Sequence, residues 1–241
     1  MFLAVLADVA KLMLIAAGFY WGLAVYARNA RPLWSEPLQK RRLVVASLIV
    51  LAVLIVDVTE DTMGGDSGPI DRAILLFVHR FVTDTLLDFF EAVTFTGSSN
   101  VLVPLTIVCT LALARATHRR EALLLFASLT TSALVIYVVK AIVGRDRPAL
   151  WETDLYWGSS FPSGHTLIVA SFATAASLCV NRIRPAMHRY AVGIGLVWVL
   201  LVAVSRLIIG VHWPTDVLAA ACIGAFIPLA IGLAFGLWKP T

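Results

Sequence analysis

Seven apolar stretches recur along the chain, near residues 3–26, 43–58, 100–115, 121–141, 164–181, 190–208 and 216–237, separated by shorter polar or charged segments. Most approach the roughly 20 residues that a helix needs to cross a bilayer. The pattern predicts an all-α chain of six or seven transmembrane helices. The first stretch differs from the others because Asp8 and Lys11 interrupt it three residues apart, close enough to pair on one helix face. It either spans or lies partly in the interface. A cleaved signal peptide is the weaker reading, since no soluble domain follows it.

Between the second and third stretches the pattern changes. Thr59 to Gly68 is acidic and glycine-rich, and is expected to form a loop. From Ile70 to Val93, Arg72, Arg80, Asp84, Asp88 and Glu91 recur at helical spacing opposite Ile74, Phe77, Phe81 and Phe89. This predicts an amphipathic helix over 70–93, either resting on the membrane surface or roofing a site, with His79 on its polar face.

Composition excludes a water-soluble globule. Of the 241 residues, 60% are hydrophobic and 14% charged, against roughly 25% charged in ordinary soluble domains, and mean hydropathy is +0.88. The net charge of +4 does not point to nucleic acid, because the basic residues fall between apolar spans rather than along one face. Cys109, Cys179 and Cys222 lie far apart inside apolar stretches. Free, packed thiols are expected, not a disulfide framework or a zinc site.

The loop charges set an orientation. Arg28, Arg31, Lys40, Arg41, Arg42, Arg115, Arg119, Arg120, Arg182, Arg184, Arg189 and Lys239 gather on one side. Arg72, Arg80, Lys140, Arg145, Arg147 and Arg206 lie on the other, with Lys11 inside the first stretch. The positive-inside rule makes the richer side cytoplasmic. Loops 59–99, 142–163 and 207–215 are then extracytoplasmic.

Ionisable residues gather where the extracytoplasmic helix ends meet, and charges there are costly unless paired or used. Lys140 is followed seven residues on by Arg147-Pro148. Pro162-Ser163-Gly164-His165 stands at the mouth of the next span, and Ser205-Arg206, His212 and Asp216 surround the last loop. Lys140, Arg147 and Arg206 make an anion site: arginine offers a planar fork matched to phosphate oxygens, and lysine a mobile point charge. In the Pro-Ser-Gly-His turn, glycine lets backbone approach a ligand, helix-opening amides attract anions, and Ser163 adds a hydroxyl donor. The two histidines suggest two-step displacement. Asp216 reaches back to His212, fixing its tautomer and leaving the other nitrogen to attack phosphorus. His165 then serves as acid to the leaving oxygen and as base to water. His118 and His188 are expected to be ordinary interfacial residues, Trp151 and Trp157 loop anchors, and Trp213 and Pro214 shapers of the last loop.

These three motifs, K-x6-R-P from Lys140 to Pro148, P-S-G-H from Pro162 to His165, and S-R-x5-H-x3-D from Ser205 to Asp216, resemble the type 2 phosphatidic acid phosphatase family. That family also includes glucose-6-phosphatase and the vanadium-dependent haloperoxidases. No family-defining position is substituted, and the resemblance covers roughly residues 43–237. It implies a polytopic membrane bundle with a six-helix phosphatase core. The domains are then 1–42, an extra N-terminal span and basic loop, and 43–241, the phosphatase domain with its amphipathic segment. The resemblance further implies that His212 becomes a phosphohistidine, that Asp216 orients it and that His165 is the leaving-group acid. Lys140, Arg147, Ser163, Gly164 and Arg206 would bind phosphate, without a metal or other cofactor. Arg145 and Asp146 occupy positions that the pattern leaves open and receive no role.

The function expected on this basis is hydrolysis of a lipid phosphate or pyrophosphate in the bilayer, in a bacterial inner membrane, with the site extracytoplasmic. Undecaprenyl pyrophosphate is the favoured substrate, with phosphatidylglycerol phosphate and phosphatidic acid as alternatives. A phosphotransferase delivering the same phosphoryl group to another acceptor is a second reading. A transporter or scaffold that only binds an anion is a third. A haloperoxidase fits least, because members with that activity are soluble.

Overall fold

The computed structural model describes residues 2–30, 39, 41–65, 67–151 and 158–236. Arg31, Lys40, Lys239 and Trp157, used above for topology and loop anchoring, lie outside them. The described residues form nine α-helices: α1 (Phe2–Ala30), α2 (Arg42–Gly64), α3 (Gly68–His79), α4 (Asp84–Thr96), α5 (Ser99–Arg115), α6 (Arg119–Val143), α7 (Gly164–Ile183), α8 (His188–Ile208) and α9 (Pro214–Ala234). A single 3-10 turn, Pro185–Met187, leads into α8. Seven segments are long and apolar enough to cross a membrane: Ala10–Asn29, Arg42–Gly64, Asp84–Arg115, Arg119–Val143, Gly164–Ile183, Pro185–Ile208 and Pro214–Ala234. The chain is an all-α, polytopic membrane bundle.

Helix α7 is the axis of the bundle, packing against α6, α8 and α9 and burying most of its length. Its Val169 and Phe172 meet Leu102 of α5, Leu125 and Leu129 of α6 and Val202 of α8. In lipid, apolar burial supplies little force between helices, so close approach and interhelical hydrogen bonds matter more. Both occur here. Ser132 on α6 and Ser171 on α7 share a 2.8 Å hydrogen bond. At Gly224 on α9, an added Cβ would lie 2.4 Å from the Leu167 carbonyl oxygen on α7, so only glycine permits that crossing. Outside this centre, α2 packs on α9 and α1 on α2. Lys11 lines the groove between α1 and α2 together with Asp57 and Glu60.

The segment expected to be one amphipathic helix over 70–93 is two helices. They are separated at Arg80–Thr83, and Thr83 supplies the reason: its Oγ1 accepts the amide of Leu86 at 3.3 Å, an N-cap that starts a new helix. Asp84 in the following first turn suits the positive helix end. Helix α4 then runs toward α5, with a break at Gly97–Ser98, and packs along α8. The second half of the expected surface helix thus belongs to the third membrane-crossing segment. Phe77, Phe81 and Phe89 are exposed, as an apolar face turned outward requires. The three cysteines are free, Cys179 and Cys222 buried and Cys109 partly so.

Candidate active site

The three motifs converge at one end of the bundle. Lys140 stands in the last turn of α6, which stops at Gly144 with φ of 61°, a left-handed cap that glycine adopts without strain. The loop beyond is stitched to itself: the Ser160 amide donates to the Arg145 carbonyl at 2.8 Å and the Ser160 hydroxyl to the Asp146 carbonyl at 3.1 Å. Lys140 Nζ donates to the Ser159 carbonyl. Arg147 Nε donates to the Gly158 carbonyl at 3.2 Å, and its Nη1 to that of Val211 at 2.9 Å. The first and third motifs are therefore tied together through arginine and backbone.

Ser163 is the N-cap of α7, reached through a cis Phe161–Pro162 peptide. Its amide donates to the Asp216 carbonyl at 3.2 Å, and its hydroxyl lies 3.1 Å from that of Thr166. Gly164 and His165 open the helix behind it. Arg206, Arg147, Lys140 and His212 all lie close enough to His165 to act on its charge. Arg206, in the last turn of α8, is 1% exposed, and its Nη1 donates to Thr94 Oγ1 of α4 at 2.8 Å. Thr94 carried no signal in the sequence.

His212 lies in the short loop between α8 and α9 and is 2% exposed. Its Nδ1 stands 3.6 Å from Asp216 Oδ2 and its Nε2 3.4 Å from Arg147 Nη1. Guanidinium nitrogens only donate, so Nε2 keeps its lone pair and the proton sits on Nδ1, facing the carboxylate. Burial pushes the His212 imidazole down from its ordinary 6.5 to about 4; Asp216 opposes this, while Arg206 and Arg147 reinforce it. At neutral pH the ring is uncharged and nucleophilic. Asp216 is held in turn by the Trp213 amide, which donates to Oδ2 at 2.9 Å, closing the first turn of α9 behind Pro214.

The geometry brings together every residue assigned to the site from the sequence: Lys140, Arg147, Ser163, Gly164, His165, Arg206, His212 and Asp216. It also includes one that received no role. Arg145 Nη1 donates to Asp216 Oδ1 at 2.6 Å and its Nη2 to Asp71 Oδ2 of α3 at 2.7 Å. Asp71, which carried no signal in the sequence, is 0% exposed. An acid in the first turn of a helix ordinarily serves the helix dipole, which hid it. His79 stacks on Trp151 with ring centroids 4.0 Å apart, and the Trp213 indole donates to the Asp146 carbonyl at 2.9 Å. These tie the motif loops to each other and to α3.

Among the described residues, no group of three or more His, Cys, Asp or Glu side chains is arranged to hold a metal. A groove of about 580 Å³ leads away from the site between α5, α6 and α7, lined by Leu102, Val103, Ile107, Phe126, Ala133, Ile136 and Ile168, with Gly164 and His165 at one end. Its volume is that of a small-molecule site, and its walls are almost wholly apolar.

Residues 121–237 match the sequence model of the PAP2 superfamily. Over these residues, just under half of the chain, it is similar to the PAP2 superfamily. All three motifs fall inside the matched PAP2 region. Phosphatidylglycerophosphatase B of Escherichia coli (strain K12) is 41% identical over 85 residues, covering 35% of this chain and 32% of that protein. Lipid A 1-phosphatase of Rhizobium johnstonii is 30% identical over 121 residues, 46% of each chain. The chain thus matches 32% and 46% of the length of these two relatives. The fold extends further. A crystal structure of a transmembrane PAP2 type phosphatidylglycerolphosphate phosphatase from Bacillus subtilis superposes with a TM-score of 0.69 at 23% identity, over 81% of this chain and 97% of that one.

Proposed function

We propose that the protein is a membrane lipid phosphatase that hydrolyses a phosphomonoester or pyrophosphate headgroup through a phosphohistidine. The carrying observation is the joining of two unlike spaces at His165: a cluster of three cations and two histidines, with Arg206 and His212 buried at its floor, and an apolar groove. A phosphate attached to a hydrocarbon chain fits both; a soluble phosphate fills only the first.

In the proposed reaction, Lys140, Arg147 and Arg206 hold the phosphoryl oxygens, with the Ser163 hydroxyl and the amides opening α7. His212 Nε2 attacks phosphorus, and the bond from phosphorus to the leaving oxygen breaks as His165 gives that oxygen a proton. Asp216 stabilises the imidazolium character that develops on His212. Water then attacks the phosphohistidine, giving a proton to His165, and the P–N electron pair returns to Nε2. The fixed cations stabilise the equatorial charge in both steps without rearranging.

The sequence favours undecaprenyl pyrophosphate. The name of the Escherichia coli relative favours phosphatidylglycerol phosphate as a second substrate. Both present the same phosphoryl group and a chain for the groove. The distribution of basic residues supports an extracytoplasmic site, for which a bacterial inner membrane is the fitting location.

Phosphate release by purified protein in detergent and excess EDTA tests the reading, across undecaprenyl pyrophosphate, phosphatidylglycerol phosphate and phosphatidic acid, beside His212→Ala. Release lost in the variant and inhibited by vanadate supports it. Strict dependence on added magnesium, or equal release by a folded His212→Ala protein, overturns it.

A further inference from the structure

Asp216 has two oxygens and more than one task. Oδ2 faces His212 Nδ1 and also accepts the Trp213 amide. Nothing in that pair stops the carboxylate from rotating about its last bond, which would carry Oδ2 away from the imidazole. The restraint comes from Oδ1, which Arg145 Nη1 grips at 2.6 Å.

Arg145 is itself fixed from the other side. Its Nη1 also donates to Thr215 Oγ1 at 2.9 Å, and its Nη2 reaches Asp71 Oδ2 at 2.7 Å and Ser67 Oγ at 3.4 Å. Asp71 accepts the Thr215 amide on Oδ1 at 3.0 Å and the Thr215 hydroxyl on Oδ2 at 2.6 Å. Both carboxylates are 0% exposed and the Arg145 side chain 15%. A planar guanidinium between two buried carboxylates has little freedom to turn. The Arg145 guanidinium also lies 5.5 Å from the centre of the Trp213 ring, which fixes it from one face.

We propose that Asp71 and Arg145 are positioning residues for His212, acting through Asp216: α3 holds the guanidinium, the guanidinium sets the carboxylate plane, and the carboxylate aims the imidazole. This rests on the proposed phosphohistidine mechanism and extends it to a helix outside the three motifs. Neither residue reaches the phosphate, so their loss reduces turnover and leaves substrate binding largely intact. Outer partners that orient a reacting or ligating histidine commonly contribute roughly 10- to 100-fold.

The test is steady-state kinetics on lipid substrate with Asp71→Asn, Thr215→Val, Arg145→Lys, Arg145→Gln and the Asp71→Asn/Arg145→Gln double variant. Thr215→Val deletes one hydroxyl at constant shape and keeps the test open if a charge variant does not fold. The expected result is a fall in kcat of roughly 10- to 100-fold for Arg145→Gln and Asp71→Asn, with KM near wild type. Thr215→Val should show a smaller fall of the same kind, and Arg145→Lys partial recovery relative to Arg145→Gln. The double variant should lose less than the product of the two single losses, because Asp71 and Arg145 act on Asp216 through one shared network. Wild-type kcat in folded Asp71→Asn and Thr215→Val, or a loss confined to KM, overturns the proposal. If wild-type protein releases no phosphate, or does so independently of His212, the phosphatase reading itself has failed. Activity that needs His212 but ignores Asp71 and Thr215 refutes the positioning role alone.

Discussion

Arg147 Nη1 faces His212 Nε2 at 3.4 Å, so the nitrogen assigned to attack phosphorus is turned toward one of the groups assigned to hold the phosphate. Because guanidinium cannot accept a hydrogen bond, this contact suits a neutral ring with its proton on Nδ1. Phosphate bound by Arg147 would lie against the nucleophile.

A neutral His212 has a measurable consequence. Its imidazole is pushed down to about 4, chiefly by burial. A histidine with a lowered value in the folded protein stays uncharged as pH falls through the ordinary range, and protonates only below it. Unfolded chain then takes up the proton first, so this group favours the folded state least at low pH. In NMR spectra of protein carrying 13C-labelled histidine, the signal missing from His212→Ala should keep its neutral position from pH 7 down to about pH 5. A midpoint at or above 6.5 would show that the ring is not held neutral.

The assignment of His165 as leaving-group acid predicts a dependence on the leaving group. A positioned acid contributes roughly 10²- to 10⁴-fold when the departing oxygen is a poor leaving group. His165→Ala should lose that factor on a lipid phosphomonoester and much less on p-nitrophenyl phosphate, whose phenolate departs without a proton. An equal loss on both would assign His165 to phosphate binding.

The motif residues were legible from sequence because charge in an apolar chain is costly enough to need a purpose. The seven spans were legible from hydropathy, since lipid leaves the backbone few alternatives to helix. What escaped were partners contributed by neighbouring elements. Thr94 is one uncharged hydroxyl in an apolar run, and only folding brings it to Arg206. Asp71 stands beside Arg72 in the amphipathic repeat over 70–93, which runs on through Arg80–Thr83 where the helix is broken, and nothing in that repeat singles it out. Its burial depends on Arg145, which lies 74 residues away in sequence. Periodicity records which face a residue occupies, and carries no information about what packs onto that face.

The groove predicts a separation between lipid and soluble substrates. Ala133 lines it away from the phosphate-binding cations, so Ala133→Trp fills the apolar space and leaves the chemistry in place. Turnover of a long-chain lipid phosphate should fall about tenfold or more in kcat/KM, equivalent to about 1.4 kcal/mol or more of lost transition-state binding. Hydrolysis of p-nitrophenyl phosphate should be nearly unchanged. Parallel loss on both substrates would mean that the groove does not receive the lipid chain.

The crossing of α7 and α9 carries the last prediction. At Gly224, a new Cβ would lie 2.4 Å from the Leu167 carbonyl oxygen and 2.8 Å from the Ala170 Cβ. Backbone cannot yield as a flexible side chain would, so α9 must shift away from α7. Overpacking of this kind costs about 1–3 kcal/mol, and the shift carries Asp216, at the opening of the same helix, away from Ser163 on α7. Gly224→Val should therefore lower the thermal midpoint in detergent and reduce turnover together. Gly193 on α8, where an added Cβ meets nothing within 4 Å, is the control: Gly193→Val should leave turnover near wild type. Equal behaviour of the two variants would show that the α7–α9 contact does not support the site.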